Sequence, residues 1–327
     1  MKRIYAPVMV GLSLALLLVG CGSDVVDDGP IDVGDADLDE PAVDDTSTDD
    51  PDEGEQPDNG ADDASDEGDE VDGGEPDEGD TTAVRLYYLG SGGDTPARAG
   101  PFLTSVEREI PSTPGIALAT LRELVDGPAE AEVQLVDDLT TSVPEDTLVL
   151  GVTIDDGLAT VDLSREFESG GGSLSMLSRL AQVVYTVTQF PTVDEVSIQL
   201  DGQPVTAFSG EGIMLDQPVS RDDYLDLLPA VFVDTPAAGA EVASSMKVTG
   251  MATVFEATFL YRLEAADGTV LEEGFATAES GVETSPFEFT IDYDLDEEQQ
   301  GTLTVWEESA KDGSVQGERT TPVLLRP

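Results

Sequence analysis

Hydrophobic side chains from residue 81 onward occur in short runs and in two stretches of helical periodicity. Val84–Leu89 and Phe102–Ile110 are apolar runs of strand length bounded by turn-forming residues. After Thr113-Pro114, which supplies an N-cap and a first helical residue, apolar positions recur at helical spacing up to Gly127-Pro128. The pattern predicts two strands followed by a helix.

A hairpin and a second helix follow. The apolar runs Leu148–Ile154 and Leu158–Leu163 flank Asp155-Asp156-Gly157, a turn sequence typical of hairpins. Apolar residues recur on one helical face over Leu177–Val187, and Val196–Leu200 reads as another strand. The predicted fold of this block is α+β, with two helices packed on one face of a small mixed sheet.

The last block, from Val231 to Pro327, shows only strand-like periodicity. Several short alternating runs are separated by turn signals such as Asp267-Gly268 and Lys311-Asp312-Gly313. This spacing predicts an all-β sandwich, and we expect Trp306, the only tryptophan, to lie in its core.

The N-terminus combines a basic start with a short apolar run. Lys2 and Arg3 precede the apolar stretch Val8–Val19, which is shorter than the roughly 20 residues of a membrane span. The sequence Leu18-Val19-Gly20-Cys21 resembles the lipobox of bacterial lipoproteins. That resemblance implies cleavage before Cys21 and its lipidation, which would hold the chain on the extracytoplasmic face of the cell membrane. The alternative is an ordinary secretory signal with a chance cysteine.

Residues 22–80 have the composition of a disordered linker. They contain 27 acidic residues, no Lys or Arg and no aromatic residue. Too little apolar surface is present to offset the entropy of ordering, and the like charges repel one another. We expect a spacer between the membrane and the folded part, with a solvated tail of no specific role as the alternative.

The overall charge excludes several kinds of function. The chain has 70 acidic against 14 basic residues, a formal net charge of −56 and no histidine. Nucleic-acid binding through a basic surface and all imidazole chemistry are therefore excluded. The single Cys21 excludes internal disulfides and Cys-rich metal sites. Two EF-hand-like runs, beginning at Asp35 and Asp292, lack the turn glycine and the final Glu, so we predict no metal site and no cofactor.

Catalytic motifs are weak. Ser244-Ser245-Met246-Lys247 matches the S-x-x-K pattern of penicillin-binding proteins, but neither of the partner motifs follows it. Pairs of carboxylates suited to glycoside hydrolysis carry no information in so acidic a chain. We therefore predict that the protein is not an enzyme.

Two resemblances refine the fold. Residues 157–164 read GLATVDLS and residues 181–191 read AQVVYTVTQFP, and together they are similar to the GerMN domain of sporulation and germination lipoproteins over about residues 83–215. The resemblance implies a fold similar to the ring-building modules of envelope assemblies, and it brings no catalytic residues. Val248-Thr249-Gly250 and Phe255-Glu256-Ala257 resemble the Gmad2 domain, an immunoglobulin-like module that often follows GerMN.

The predicted organisation has four parts: a lipoprotein signal peptide (1–20), an acidic disordered linker (21–82), a GerMN-like domain (83–228) and a Gmad2-like immunoglobulin-like domain (229–327). This organisation predicts a non-enzymatic, membrane-anchored protein-interaction or assembly module of the cell envelope. Two alternatives remain open. One is a regulator that binds the extracellular part of a membrane sensor kinase, and the other is a protein that binds or cleaves cell-wall glycans.

Partner contacts are expected from scarce, exposed cations. Arg108 and Arg179 are the predicted anchors, because in so acidic a chain each guanidinium can pair bidentately with a partner's carboxylate. Tyr87 and Tyr88 should point to opposite faces of their strand, one packed and one exposed. Residues 81–327 carry 43 acidic and 12 basic residues, which predicts a folded part adapted to high salt.

Overall fold

The computed structural model describes residues 79–90, 100–210 and 212–327, which belong to one compact unit. The predicted signal peptide, Cys21 and the linker up to residue 78 lie outside the described residues. So does most of the glycine-rich turn that follows the first strand.

The elements of the first half alternate between strands and helices, as the hydrophobic pattern predicts. They are β1 (Thr81–Gly90), β2 (Phe102–Pro111), α1 (Ile116–Val125), α2 (Glu130–Leu135), β3 (Val149–Asp155), β4 (Gly157–Leu163), α3 (Ser173–Val187), β5 (Val193–Leu200), β6 (Gln203–Pro204), β7 (Ala207–Phe208) and β8 (Ile213–Met214). A 3₁₀ segment, Arg221–Leu227, follows β8. The sequence pattern missed helix α2, the two-residue strands β7 and β8 and the 3₁₀ segment, because each is too short to show a period.

Three sheets and three α-helices build the described part of this half, the smallest sheet being the antiparallel pair β7-β8. Strands β1 and β2 form an antiparallel pair, and a separate sheet has the order β3-β4-β5-β6. Strands β4 and β5 are parallel, so α3 serves as the crossover between them. The β3–β4 hairpin turns at Asp156 and Gly157, whose φ angles of 46° and 84° are both positive, as a type I′ turn requires. Helices α1 and α3 pack against β1, and their apolar faces close the first hydrophobic core.

The second half is a β-sandwich. Its strands are β9 (Val231–Thr235), β10 (Glu241–Ala243), β11 (Met246–Ala252), β12 (Thr258–Ala265), β13 (Val270–Thr277), β14 (Ser285–Ile291), β15 (Gln299–Glu308) and β16 (Val315–Arg326). One sheet has the order β10-β16-β15-β12-β13, and the other has the order β14-β11-β9. Their inner faces enclose a second core that contains Phe259, Phe287 and Ile291. The predicted α+β plus β-sandwich fold is confirmed.

Strand β9 contributes to both cores. Val231 and Val233 pack in the sandwich, whereas the ring of Phe232 is buried in the first core. Successive side chains of a strand point to opposite faces, so one strand can serve two layers. The outer face of the three-stranded sheet is thus partly covered by the first half of the chain.

Two expectations about aromatic residues were wrong, namely that one of Tyr87 and Tyr88 is exposed and that Trp306 lies in the sandwich core. Tyr87 and Tyr88 are both fully buried, because β1 is covered on both faces. The Tyr87 ring packs 5.4 Å from the ring of Tyr185 on α3, while the Tyr88 hydroxyl donates a hydrogen bond to the Gly127 carbonyl at 2.8 Å. Trp306 is only half-buried and does not belong to the sandwich core, and the guanidinium of Arg262 lies 5.4 Å from its ring centre.

No helix in the described part of the chain combines the length and the apolarity that a membrane crossing requires.

Candidate functional site

A network of polar side chains lies where the first core meets strand β9, and Arg221 is its centre. The Arg221 Nε donates to Thr188 Oγ1 at 2.8 Å, and Nη2 donates to the Tyr185 carbonyl at 3.0 Å and to the Tyr87 hydroxyl oxygen at 3.1 Å. Nη1 lies 3.2 Å from Asp234 Oδ2. The guanidinium carbon also lies 4.6 Å from the ring centre of Tyr185 and 5.2 Å from that of Tyr87. Arg221 is therefore held on several sides.

The local sequence places Arg221 at the first position of its 3₁₀ segment. Ser220 and Asp223 form a capping box, in which the Ser220 backbone N–H donates to Asp223 Oδ2 at 2.7 Å. The cap fixes the direction in which the chain enters the segment. As a result, the Arg221 side chain extends back towards Thr188 at the end of α3.

Tyr87 completes the network from β1. Its hydroxyl donates a hydrogen bond to Asp234 Oδ1. Burial, and then the charge of Asp234, raise the pKa of Tyr87 above its ordinary value, and burial likewise raises the pKa of Tyr185. For Arg221, burial lowers the pKa, but the opposing effects of Tyr87 and Asp234 outweigh it, so the net shift is upward. Both phenols therefore stay neutral and Arg221 stays charged around neutral pH. Such fixed protonation states suit a structural link better than a site of proton transfer, and the network of Arg221, Asp234 and Tyr87 is called the joint below.

A second cation reaches Asp234 from β1. Arg85 Nη1 donates to Thr235 Oγ1 at 2.6 Å and lies 3.8 Å from Asp234 Oδ2. The backbone of Arg85 is in turn held by Gln189, which accepts from its N–H at 2.8 Å and donates to its carbonyl at 2.7 Å. Strand β1, the end of α3 and strand β9 are thus tied together by polar contacts at one place.

A cleft of about 640 Å³ opens beside this network. One wall comes from the 3₁₀ segment and α3, and the other is the uncovered part of the outer face of the β14-β11-β9 sheet. The end of β13 and the turn after it close one side. The residues that line the cleft are Tyr185, Arg221, Asp222, Leu225, Phe232, Asp234, Thr249, Gly250, Met251, Thr277, Ala278, Glu279, Pro286, Phe287 and Glu288.

The S-x-x-K residues do not form a catalytic pair. The Oγ of Ser244 accepts a hydrogen bond from the Tyr293 backbone N–H at 3.1 Å. Lys247 lies on β11 and its Nζ contacts Glu288 Oε2 at 2.9 Å. The serine and the lysine therefore have separate structural partners.

Arg108 is not the exposed anchor that the sequence suggested. Its guanidinium pairs bidentately with Glu132 at 2.8 and 2.6 Å and contacts Glu123 Oε2 at 2.9 Å. Burial lowers its pKa, but the hydrogen bond and charge of Glu132 and the contact with Glu123 outweigh that effect and raise it. The side chain joins β2 to α1 and α2, so its charge is already neutralised within the fold.

Arg179 is also internal, and the expectation of exposure was wrong for it as well. The residue is 2% exposed, and its guanidinium donates to the carbonyls of Phe167, Ser169 and Gly170 at 2.6, 3.0 and 3.2 Å. Burial lowers its pKa. Because its donors close the loop before α3, Arg179 stabilises that loop from inside and presents no charge to a partner.

No group of three metal-ligating side chains occurs within residues 79–90, 100–210 and 212–327. Asp292, the first residue of the second EF-hand-like run, accepts a hydrogen bond from the Ser245 hydroxyl. The earlier run, at Asp35, lies outside the described residues.

Sequence reasoning missed Arg221 and Asp234, the central pair of the joint. One signal was available: Arg221 is the only basic residue between Arg179 and Lys247, and it stands directly before two aspartates. Asp234 carried no such signal, because it is one of many acidic residues in the chain.

Each half of the chain matches the model of a known protein family. A family model described as "Sporulation and spore germination" (Germane) matches residues 85–206. A second, described as "Immunoglobulin-like domain of bacterial spore germination" (Gmad2), matches residues 230–314. These matches confirm the two resemblances inferred from the sequence. No curated protein matches the chain.

Several solved structures are similar to the chain. The first GerMN domain of the sporulation protein GerM from Bacillus subtilis is 22% identical with a TM-score of 0.37, and the match covers 43% of this chain and 99% of that domain. The tandem GerMN domains of the same protein are 16% identical with a TM-score of 0.37, covering 67% of this chain and 64% of theirs. A putative lipoprotein from Clostridium perfringens is 22% identical with a TM-score of 0.31, and the match covers 45% of this chain and 93% of that lipoprotein.

Proposed function

We propose that this chain, which the Germane model matches over residues 85–206 and the Gmad2 model over residues 230–314, is a membrane-anchored interaction module of the cell envelope. In this proposal the two domains act as one unit. The protein holds a partner protein in place and does not transform a substrate. Its docking site is the cleft beside Arg221.

The observation that carries the proposal is the joint between the two domains. Arg221 and Asp234 come from different sides of it, and Tyr87 contacts both. Two domains linked by such contacts keep one relative orientation, so a cleft lined by both presents a defined shape to a partner. Ligand sites occur preferentially at domain interfaces of this kind.

The non-catalytic role is supported by the chemistry of the cleft. Arg221 and Asp234 are already committed to each other and to Tyr87. Nucleophilic catalysis would need a hydroxyl within reach of a base. The serine of the S-x-x-K motif, Ser244, does not line the cleft, and its Oγ accepts a hydrogen bond from the Tyr293 backbone N–H.

Anchoring through Cys21 is part of the proposal and is supported by the Leu18-Val19-Gly20-Cys21 motif. Two acyl chains on one cysteine would give stable membrane attachment, whereas a single chain binds only marginally. The acidic segment 22–80 would then separate the folded domains from the membrane.

The test is site-specific photo-crosslinking in intact cells. A benzoylphenylalanine replaces Thr277, which is exposed and lines the cleft, or Glu195, which is exposed on β5 and does not line it. We expect a discrete adduct with an envelope protein from position 277 and none from position 195, with the partner identified by mass spectrometry and recovered in the reciprocal experiment. Equal labelling from both positions, or no adduct from either, would contradict the proposal.

The same experiment separates the alternatives. A sensor kinase as the crosslinked partner selects the regulatory function, while co-sedimentation with purified cell wall in the absence of any protein adduct selects the glycan function. Anchoring is tested separately with Cys21→Ser. The variant should leave the membrane fraction, and retention after a carbonate wash would show that the lipobox interpretation is wrong.

A further inference from the structure

The cleft between the domains has an apolar floor. Phe232 and Phe287 are buried beneath it, and Leu225 and Met251 are half-buried where they line it. Pro286 adds an exposed apolar edge. A methionine in such a position adapts its shape to different apolar groups, so the floor suits aliphatic side chains of a partner.

Negatively charged side chains outnumber positively charged ones around the cleft. Four lining residues are acidic, and Arg221 is the only basic one. Arg221 is not available to an anionic ligand, since its nitrogens donate to Asp234, Tyr87, Thr188 and the Tyr185 carbonyl. The Arg221–Asp234 pair therefore contributes little net charge to the cleft.

Three carboxylates remain around the floor. Asp222, Glu279 and Glu288 are exposed and come from the 3₁₀ segment, the turn after β13 and strand β14. Within the part of the chain that the structure describes, Glu288 is the one of the three that forms an ion pair, with the exposed Lys247 at 2.9 Å. Because Asp222 belongs to the first half of the fold and the two glutamates belong to the sandwich, the negative rim exists only when both halves are present. Clefts lined by one sign of charge between low-dielectric walls concentrate ligands of the opposite sign.

We propose that this cleft binds a segment of a partner protein in which arginine or lysine side chains alternate with aliphatic ones. The inference rests on the proposed interaction function and names the chemistry of the partner. The aliphatic side chains would cover Leu225 and Met251, and the cations would reach Asp222 and Glu279. A second copy of this chain does not fit the site, because its 43 acidic residues in positions 81–327 would bring like charge to the rim.

Fluorescence anisotropy with defined peptides tests the proposal on the full chain. The probe is fluorescein-labelled Gly-Leu-Arg-Leu-Lys-Gly, and its counterpart carries Glu in place of Arg and Lys. We expect the basic peptide to bind and the acidic one not to bind. The affinity should fall by about tenfold or more between about 0.05 and 0.5 M NaCl, because salt screens the charges at the rim.

The decisive variant is the double charge reversal Asp222→Lys/Glu279→Lys. Both residues are exposed, so the fold should persist, which a thermal melt verifies. Binding of the basic peptide should weaken by about tenfold or more. The matched control, Glu195→Lys/Glu308→Lys, makes the same change in net charge, one residue in each domain, at exposed positions that do not line the cleft. Its affinity should change by less than about twofold, since distant surface charges act weakly in salt.

Several outcomes would overturn the inference. These are no binding of the basic peptide, equal binding of the acidic one, or equal weakening by the control variant. Self-association of the chain in sedimentation velocity, abolished by the cleft variant alone, would show that the occupant is a second copy. In any of these cases a partner-specific adduct at position 277 would still support the interaction function, so the two proposals fail independently.

Discussion

The hydroxyl of Tyr87 donates a hydrogen bond to the carboxylate of Asp234, and this contact joins the first strand of the Germane domain to the first strand of the sandwich. Arg221 contacts both residues, at 3.1 Å from the Tyr87 hydroxyl and 3.2 Å from Asp234 Oδ2. The three side chains satisfy part of one another's hydrogen-bonding and charge requirements in a part-buried setting. Removal of one should therefore leave the others with fewer partners, although Arg221 keeps Thr188 and the Tyr185 carbonyl.

Replacement of Asp234 tests the strength of this joint. Asp234→Asn keeps the shape of the side chain but leaves Arg221 without its anion. Because the pair is part-buried, we expect a cost of about 1–3 kcal/mol. Urea unfolding should show this loss in the free energy of unfolding. The control Asp226→Asn alters an exposed carboxylate of the same 3₁₀ segment and should change it by no more than about 0.5 kcal/mol. Similar losses in both variants would contradict the prediction.

Gly250 on β11 should tolerate no side chain. A Cβ there would collide with the carbonyl oxygen of Phe232 on β9 and lie 2.7 Å from the ring of Phe287. Gly250→Ala should therefore lower the free energy of unfolding by about 1–3 kcal/mol, the usual cost of overpacking. Gly151→Ala is the matched control, because Gly151 also lies in a strand but has open space around it. A stable Gly250→Ala variant would show that β9 and β11 separate easily.

Alkaline pH should destabilise the fold through its buried tyrosines. Burial is the main cause that raises the pKa of Tyr87, Tyr88, Tyr185 and Tyr224 in the folded state. The unfolded chain loses these protons near its ordinary tyrosine pKa of about 10, while the folded chain retains them. Stability should therefore be unaffected by these groups below about pH 10 and fall as the pH rises further.

The measurement for this prediction is the absorbance change at the tyrosinate band, followed together with circular dichroism. Four of the six tyrosines in residues 81–327 should ionise only as the protein unfolds. If all six ionise while the dichroism stays native, the buried phenols reach solvent without unfolding and the prediction fails.

Salt should stabilise the folded part. Its 43 acidic residues outnumber its 12 basic ones, and the resulting excess of negative charge repels itself in the compact state. At about 1 M NaCl the screening length falls to roughly 3 Å, so the melting temperature should rise with salt. An equal osmolality of sucrose controls for effects that do not depend on charge. A melting temperature that is flat between low salt and about 1 M NaCl would leave no support for a halophilic adaptation.

The sequence by itself determined the local elements and the class of each half. The β3–β4 hairpin follows from a turn in which Asp156 and Gly157 adopt positive φ angles, which suits those residue types. Helices α1 and α3 and the sandwich strands follow from the period of their apolar side chains, which depends only on near neighbours. The Germane and Gmad2 resemblances rest on the same short runs, and the family matches confirm them.

Only the tertiary structure decided which polar and aromatic residues are internal. Arg108 and Arg179 look exposed in the sequence, yet Glu132 lies 24 positions from Arg108, and the loop before α3 folds back over Arg179. Tyr88 is buried because the end of α1 covers the second face of β1, which strand periodicity does not reveal. The joint and its cleft join Tyr87 to Asp234 across 147 positions. Burial and pairing of this kind depend on contacts between distant segments, and the periodicity of any one segment carries no information about them.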